Sequence, residues 1–395
     1  MSVQSIFCAA SRWLLSSLVL AFVASCGGVD SGGTGASSAY GSINGLGSII
    51  VNGVRFDEST AIILDEDGQS VGRDRLRLGV MTSVEGSGIV ASANDRRATA
   101  QQVRVFSELV GPIGTIDALT QTIQVLEQTV RITPATVFGD GLPAGLASLQ
   151  SGMVVEVFAR ADSATGRYGA TRIELRPAAM SYVVRGKVDS VNAQARMFTI
   201  GALVVDFAQV SVADAANVVV GDTVRVHLQA SPAVAPVRRA VSVSSGQRSI
   251  ADAEEASIEG RISAFQSPQR FSIDGVSVDA TAARFPDGVG AIQLGARVSV
   301  EGSASGGVVY AKEVHVEGDE DESNSQFEVH GTVEAVDPVA KVLTVRGIAV
   351  DFSGAVTFEN GSANDLRVGR SIEVEGVLQP DGVGLIARKI SFEGT

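Results

Sequence analysis

The chain has 395 residues, a formal net charge of −13, 45% hydrophobic residues and 5% aromatic ones. That length allows several domains, and the negative charge makes nucleic acid and anionic surfaces poor partners. Two cysteines, Cys8 and Cys26, exclude a dense disulfide framework.

Residues 1–25 read as a signal peptide. No acidic residue precedes the apolar run Trp13–Ala24, and Arg12 is the one positive charge ahead of it. The run suits a signal-peptide core and falls short of the ~20 apolar residues that span a bilayer. It ends in Val23-Ala24-Ser25-Cys26. This resembles the lipobox of bacterial lipoproteins, in which two small residues admit the peptidase and the cysteine thiol accepts the lipid. Lipidation, palmitate included, is therefore expected at Cys26, with Val23, Ala24 and Ser25 as lipobox. Cleavage would remove Cys8 and the only tryptophan, Trp13, leaving 30 basic and 44 acidic residues and a net charge of −14. Residues 26–40 are expected to be the lipidated cysteine and a flexible tether, because Gly27–Ser38 (GGVDSGGTGASS) has no apolar face to bury. The expected location is the cell envelope, facing periplasm or cell surface. Gly27, where Asp would favour inner-membrane retention, leans toward the outer membrane.

Beyond residue 40 the chain repeats itself. A motif of Gly, any residue, Ile or Val, a polar, a small and an apolar residue begins at Gly41, Gly114, Gly186, Gly260 and Gly331, spaced 73, 72, 74 and 71 residues apart. Each copy continues with a tight hairpin pattern, clearest at Asn52-Gly53 and Asp274-Gly275. A glycine then leads into an alternating strand, as in LGVMTSVEG from Leu78, LGARVSVEG from Leu294 and VGRSIEVEG from Val368. The alternation Val84/Gly86, Val298/Val300 and Ile372/Val374 puts one face inward. A last strand closes each unit. Gly145–Gln150 and Asp214–Asn217 suit single helical turns.

The expected fold is all-β: a tandem array of about five small OB-like β-barrel domains after a lipoprotein signal peptide and flexible tether. Closure removes exposed strand edges. The repeats are assigned to residues 41–107, 108–178, 179–247, 256–318 and 327–395, with an acidic linker at 319–326. Each is expected to form its own core, as five beads rather than a continuous solenoid.

The pattern Gly-x-Ile/Val, hairpin, Gly-x-x-Val-x-Val-x-Gly, then Ala-x-x-Ile/Val resembles the bacterial domain of unknown function 5666. Copies four and five carry it best, through Gly260, Val300-Glu301-Gly302 and Ala311-Lys312-Glu313-Val314, and through Gly331, Val374-Glu375-Gly376 and Ala387-Arg388-Lys389-Ile390. Copies two and three depart from it at Glu156-Val157-Phe158 and Arg225-Val226-His227. The resemblance implies tandem small barrels in exported proteins and no known activity.

Chemical motifs are sparse. His227, His315 and His330 form no metal-ligand spacing. His315 and His330, in neighbouring units, could meet across a junction, although strand histidines on a surface are the plainer reading. The run Glu317-Gly318-Asp319-Glu320-Asp321-Glu322 lacks the spacing of a Ca²⁺ loop and reads as solvated linker. Asp65-Glu66-Asp67-Gly68 reads as a hairpin tip. No Gly-x-Ser-x-Gly elbow or phosphate loop occurs. Glu85, Glu301 and Glu375 recur at one repeat position, as residues serving a strand's polar face do. No catalytic, cofactor-binding or metal-binding residue is assigned, and no enzyme activity is expected. The expected role is a membrane-anchored, non-catalytic binding or interaction module for an envelope protein or glycan. A structural spacer or assembly factor is the alternative, and a hydrolase the third reading.

Overall fold

A computed structural model describes residues 35–92, 95–216, 218–230, 237–318 and 325–393. Val23, Ala24, Ser25 and Cys26 lie outside the described residues, as do residues 319–324 of the acidic linker.

Every repeat closes into a barrel by one rule, seen plainly in the fifth. Phe327–Asp337 pairs antiparallel with Val342–Val345, which turns back into Ile348–Asp351. Ile348–Asp351 runs parallel to the last strand, Leu385–Phe392. That strand pairs antiparallel with Ser371–Leu378, which returns to Phe327–Asp337 and closes the circuit. The spatial order is first, second, third, fifth, fourth. The fourth barrel repeats it with Ala253–Ser267, Arg270–Ile273, Val276–Asp279, Arg297–Ser305 and Val308–Glu317. The second uses Leu109–Asp117, Thr122–Val125, Gln128–Arg131, Val154–Asp162 and Arg167–Leu175. In the third, the opening strand is split into Ser181–Lys187 and Ser190–Asn192, followed by Met197–Ile200, Leu203–Asp206, Thr223–Gln229 and Val237–Ser245. In the first it is split into Ala36–Ser42 and Gly45–Leu46, followed by Ile49–Val51, Val54–Asp57, Met81–Ser87 and Arg96–Phe106.

Local chemistry explains the closure. Inward residues such as Val84, Val298, Val300, Ile372 and Val374 are buried. The glycine ahead of each fourth strand, Gly79, Gly152, Gly221, Gly295 or Gly369, has φ between 79° and 94°, a left-handed backbone that glycine adopts without steric cost. Its N–H donates to a first-strand carbonyl: Ile43, Ile113, Val188, Ile262 or Val333, at 2.7–2.9 Å. That bond ties the turn to the start of each barrel. The two short helical turns form at Gly145–Ser148 and Val212–Ala215, the latter capped by the Ser211 hydroxyl.

The hydrogen bonds also correct the repeat register. Ile113, not Ile116, takes the place of Ile43, Val188, Ile262 and Val333. The second copy therefore begins at Gly111 rather than Gly114, and the spacings become 70, 75, 74 and 71 residues. The segment Gly-Pro-Ile-Gly-Thr-Ile contains the motif twice, three residues apart, and only pairing distinguishes them. In the fourth strands, the register shifts at Glu85/Gly86, Phe158/Ala159, His227/Leu228, Glu301/Gly302 and Glu375/Gly376. Phe158 and His227 thus stand where the other barrels hold glutamate. The bulge brings the last strand close: a Cβ on Gly376 would sit 2.3 Å from the Ile386 carbonyl oxygen.

Two expectations change. Residues 36–40, assigned to the tether, are the first barrel's opening strand, and Ser37 and Ser38 are buried within it. The strand is paired along both edges, antiparallel with Met81–Ser87 on one side and parallel with Ala253–Ser267 on the other. Nor do the barrels keep wholly separate cores. Gly45–Leu46 lies parallel to Phe327–Asp337, so the first, fourth and fifth barrels share one sheet and one apolar cluster. Leu109–Asp117 pairs with Ser181–Lys187, which joins the second and third barrels in the same way. Among the described residues, no helix is long and apolar enough to cross a membrane.

Candidate functional site at the barrel junction

Where four repeats meet, five polar side chains are buried together. Tyr40 comes from the first barrel, Glu108 from the link to the second, Arg185 from the third, Arg248 from the link to the fourth, and Asp274 from the fourth barrel's hairpin. Glu108 is 1% exposed. Its carboxylate accepts from Arg185 Nη1 at 3.2 Å through each oxygen and from Arg248 Nη2 at 2.5 Å. Arg248 Nη1 donates to the Tyr40 hydroxyl, which donates to Asp274 Oδ2 at 3.0 Å. Arg185 also donates to the carbonyls of Gly246 at 2.7 Å and Asp274 at 3.1 Å. The Arg248 guanidinium lies 4.6 Å from the Phe106 ring centroid, a cation–π contact.

Charge balance sets the protonation of this hub. Burial pushes the Glu108 carboxyl up, and Arg248 and Arg185 more than offset it, holding the group below the usual carboxylate range. Asp274 goes the other way: burial raises it, and the nearby Glu108 charge adds to the rise against Arg248. Burial likewise raises the Tyr40 phenol.

Beside the hub, a cavity of about 410 Å³ opens between the first three barrels, lined in part by Asp67, Arg75, Glu156, Phe158, Arg225 and His227. The Asp65–Gly68 segment is a hairpin tip, as read from sequence: the Gly68 N–H donates to the Asp65 carbonyl at 3.1 Å and Leu64 bridges Ser70. Its carboxylates point across to the third barrel. Asp67 accepts from Arg225 and stands 3.2 Å from His227 Nε2, and Glu66 Oε2 is 3.3 Å from Arg225. On the opposite wall Arg75 donates to both oxygens of Glu156 at 2.8 Å, and Arg176 donates to it at 2.6 Å. Burial pushes Asp67 up, and Arg225 and His227 outweigh it, so its carboxyl titrates low. A carboxylate held this way binds cations and donors well and accepts protons poorly at neutral pH.

The other residues singled out from sequence fall elsewhere. His315 sits between Glu313 at 2.9 Å and Asp287 at 3.3 Å, and His330 against Glu393 at 2.8 Å. Each histidine has its own acidic partners. Glu85 and Glu375 pair with Gln102 and Lys389 of their own last strands, and Glu301 with Arg96 of the first barrel. Among the described residues, no group of three or more His, Cys, Asp or Glu is placed to hold a metal ion.

The family described as Domain of unknown function (DUF5666) matches three separate segments, residues 110–174, 259–315 and 330–391. These are the second, fourth and fifth barrels, so the chain carries this domain in repeated form. No curated protein matches the chain.

Proposed function

We propose that the chain is a lipid-anchored, non-catalytic binding module of the bacterial cell envelope, held through Cys26 and, given Gly27, on the outer membrane. Its barrels are OB-like in this reading, supported by the order first, second, third, fifth, fourth with the third and fifth strands parallel. One observation favours binding over reach. Ala36–Ser42 pairs with the fourth barrel and Gly45–Leu46 with the fifth, so the array is folded back on its own start. A spacer gains length from beads strung apart; a clustered array gives up length and gains clefts between barrels. The paired state of Asp67, Glu156 and Arg225 in the junction cavity fits recognition better than proton transfer.

Affinity capture from envelope extract with the purified chain tests the reading. A specific envelope protein or glycan is expected, and recovery of neither would overturn it. The anchor has a separate test. Cys26→Ala is expected to abolish labelling by a lipid precursor and to release the chain from membranes; unchanged labelling and fractionation would refute lipidation.

A further inference from the structure

One face of the fourth barrel departs from its four counterparts. Across its second, third and fifth strands the register aligns Arg270, Asp279 and Tyr310 in one row, and Ser272, Ser277 and Val308 in the next. These side chains alternate with buried Phe271, Val278 and Val309 and therefore point outward. With Phe265 and Gln266 they line a groove of about 510 Å³. Phe265 is 40% exposed and Tyr310 48%. Tyr310 stands in the outward row, and Phe265, which in the first strand pairs with Phe271, reaches the groove from the barrel's edge.

The repeats provide an internal control for this face. The residues at Phe265's place in the other barrels are Leu46, Ile116, Val191 and Val336. Those facing the third strand at Tyr310's place are Thr99, Gly169, Arg239 and Ile386. Four barrels close without an aromatic at either position, so closure does not require one. Both aromatics occur in the same barrel and line the same groove. Tyr40, Tyr168 and Tyr182 are all buried; Tyr310 alone presents its ring to solvent.

We propose that this groove binds a neutral, extended oligosaccharide, with Phe265 and Tyr310 stacking on the apolar faces of sugar rings and Gln266, Arg270, Ser272, Ser277 and Asp279 meeting its hydroxyls. The inference deepens the binding-module reading and rests on it. An aromatic ring offers a broad apolar face at small entropic cost, and the groove's polar side chains supply both donors and acceptors. The chain's negative charge disfavours a polyanion on the same face.

Isothermal titration of the purified full chain with chitohexaose and cellohexaose, two neutral β-1,4-linked hexasaccharides, tests the proposal. Saturable binding is expected to at least one. Phe265→Ala and Tyr310→Ala should each weaken it about tenfold, while Leu119→Ala, an exposed apolar truncation on the second barrel, leaves it unchanged. Unchanged urea midpoints would show that the variants fold. Binding that survives both aromatic truncations would overturn the groove and leave the module reading standing. Absence of hexasaccharide binding alongside capture of an envelope protein would do the same. Absence of both would overturn the two together. Tighter binding of oligothymidylate than of either sugar would assign the face to nucleic acid and refute the proposal.

Discussion

Removing the Glu108 carboxylate is the most direct way to test whether the buried hub holds the barrels together. Glu108→Ala would leave Arg185 and Arg248, each with a side chain at most 3% exposed, without their shared carboxylate, Glu66 at 3.7 Å from Arg248 being the remaining ion-pair partner. The hydrogen bonds from two arginines to a charged group, at about 1.5–3 kcal/mol per arginine, put the loss at several kcal/mol. Breaking one partner of a buried ion cluster costs about 3–5 kcal/mol by the same logic. We expect a loss of ~3–5 kcal/mol in urea unfolding followed by circular dichroism. The sign of the pH dependence follows from the depressed Glu108 pKa. Its contribution is fully present above the unfolded value of about 4.3 and is lost as pH falls through the lower folded value. The gap between wild type and Glu108→Ala should therefore hold from neutral pH down to about 4 and close below it. Replacing Glu108, Arg185 and Arg248 together by apolar residues of similar volume should cost far less than the single substitution. A loss under about 1 kcal/mol for Glu108→Ala, or one that grows in acid, would refute the reasoning.

Asp274→Asn tests the other carboxyl of the hub. Its folded pKa lies above the unfolded one, so folding loses stability as pH rises through the folded value, and a neutral amide escapes that loss. The variant should gain on wild type at pH 7 and show no gain near pH 3 in paired urea titrations; the reverse order would count against it. Glu127→Gly should stabilise the chain by about 1 kcal/mol, read as a higher urea midpoint. Leu126 and Glu127 both have positive φ in the second barrel's hairpin, whereas the corresponding turns at 53, 275 and 347 place glycine second. Gly376→Ala should lower stability by roughly 1–3 kcal/mol, because its Cβ would meet the Ile386 carbonyl oxygen at 2.3 Å; an unchanged midpoint would show that the bulge opens freely, as it does around Ala159.

Much of each barrel was legible because its determinants are local. A period of two in a strand, a Gly-led turn and an Asn-Gly hairpin act within ten residues, and the five copies let each signal be checked against the others. The opening strand at 36–40 was not legible. Ser37 and Ser38 carry no apolar signal, and their strand is paired along one edge with Met81–Ser87 and along the other with Glu255 and Ala256, more than two hundred residues on. Nor could sequence locate the hub. Glu108 meets Arg185 across 77 residues and Arg248 across 140, and a lone arginine in Ser-Tyr-Val-Val-Arg-Gly looks like an outward strand position until a neighbouring barrel covers it.

Repetition separates what the fold needs from what it merely permits. A residue present in every copy, such as the glycine with positive φ at 79, 152, 221, 295 and 369, answers to barrel closure, and its function is the fold. A residue that departs from its four counterparts answers to something outside its own barrel. Two kinds of departure occur. Phe158 and His227 replace the recurrent glutamate where the second and third barrels face the junction cavity, so a carboxylate has given way to groups that pack against neighbouring barrels. Phe265 and Tyr310 replace non-aromatic residues on the fourth barrel and remain 40% and 48% exposed. The first kind is accounted for by assembly. The second leaves part of each ring in water, at a cost of about 25 cal/mol per Å², which is the physical reason to look for its partner outside the protein.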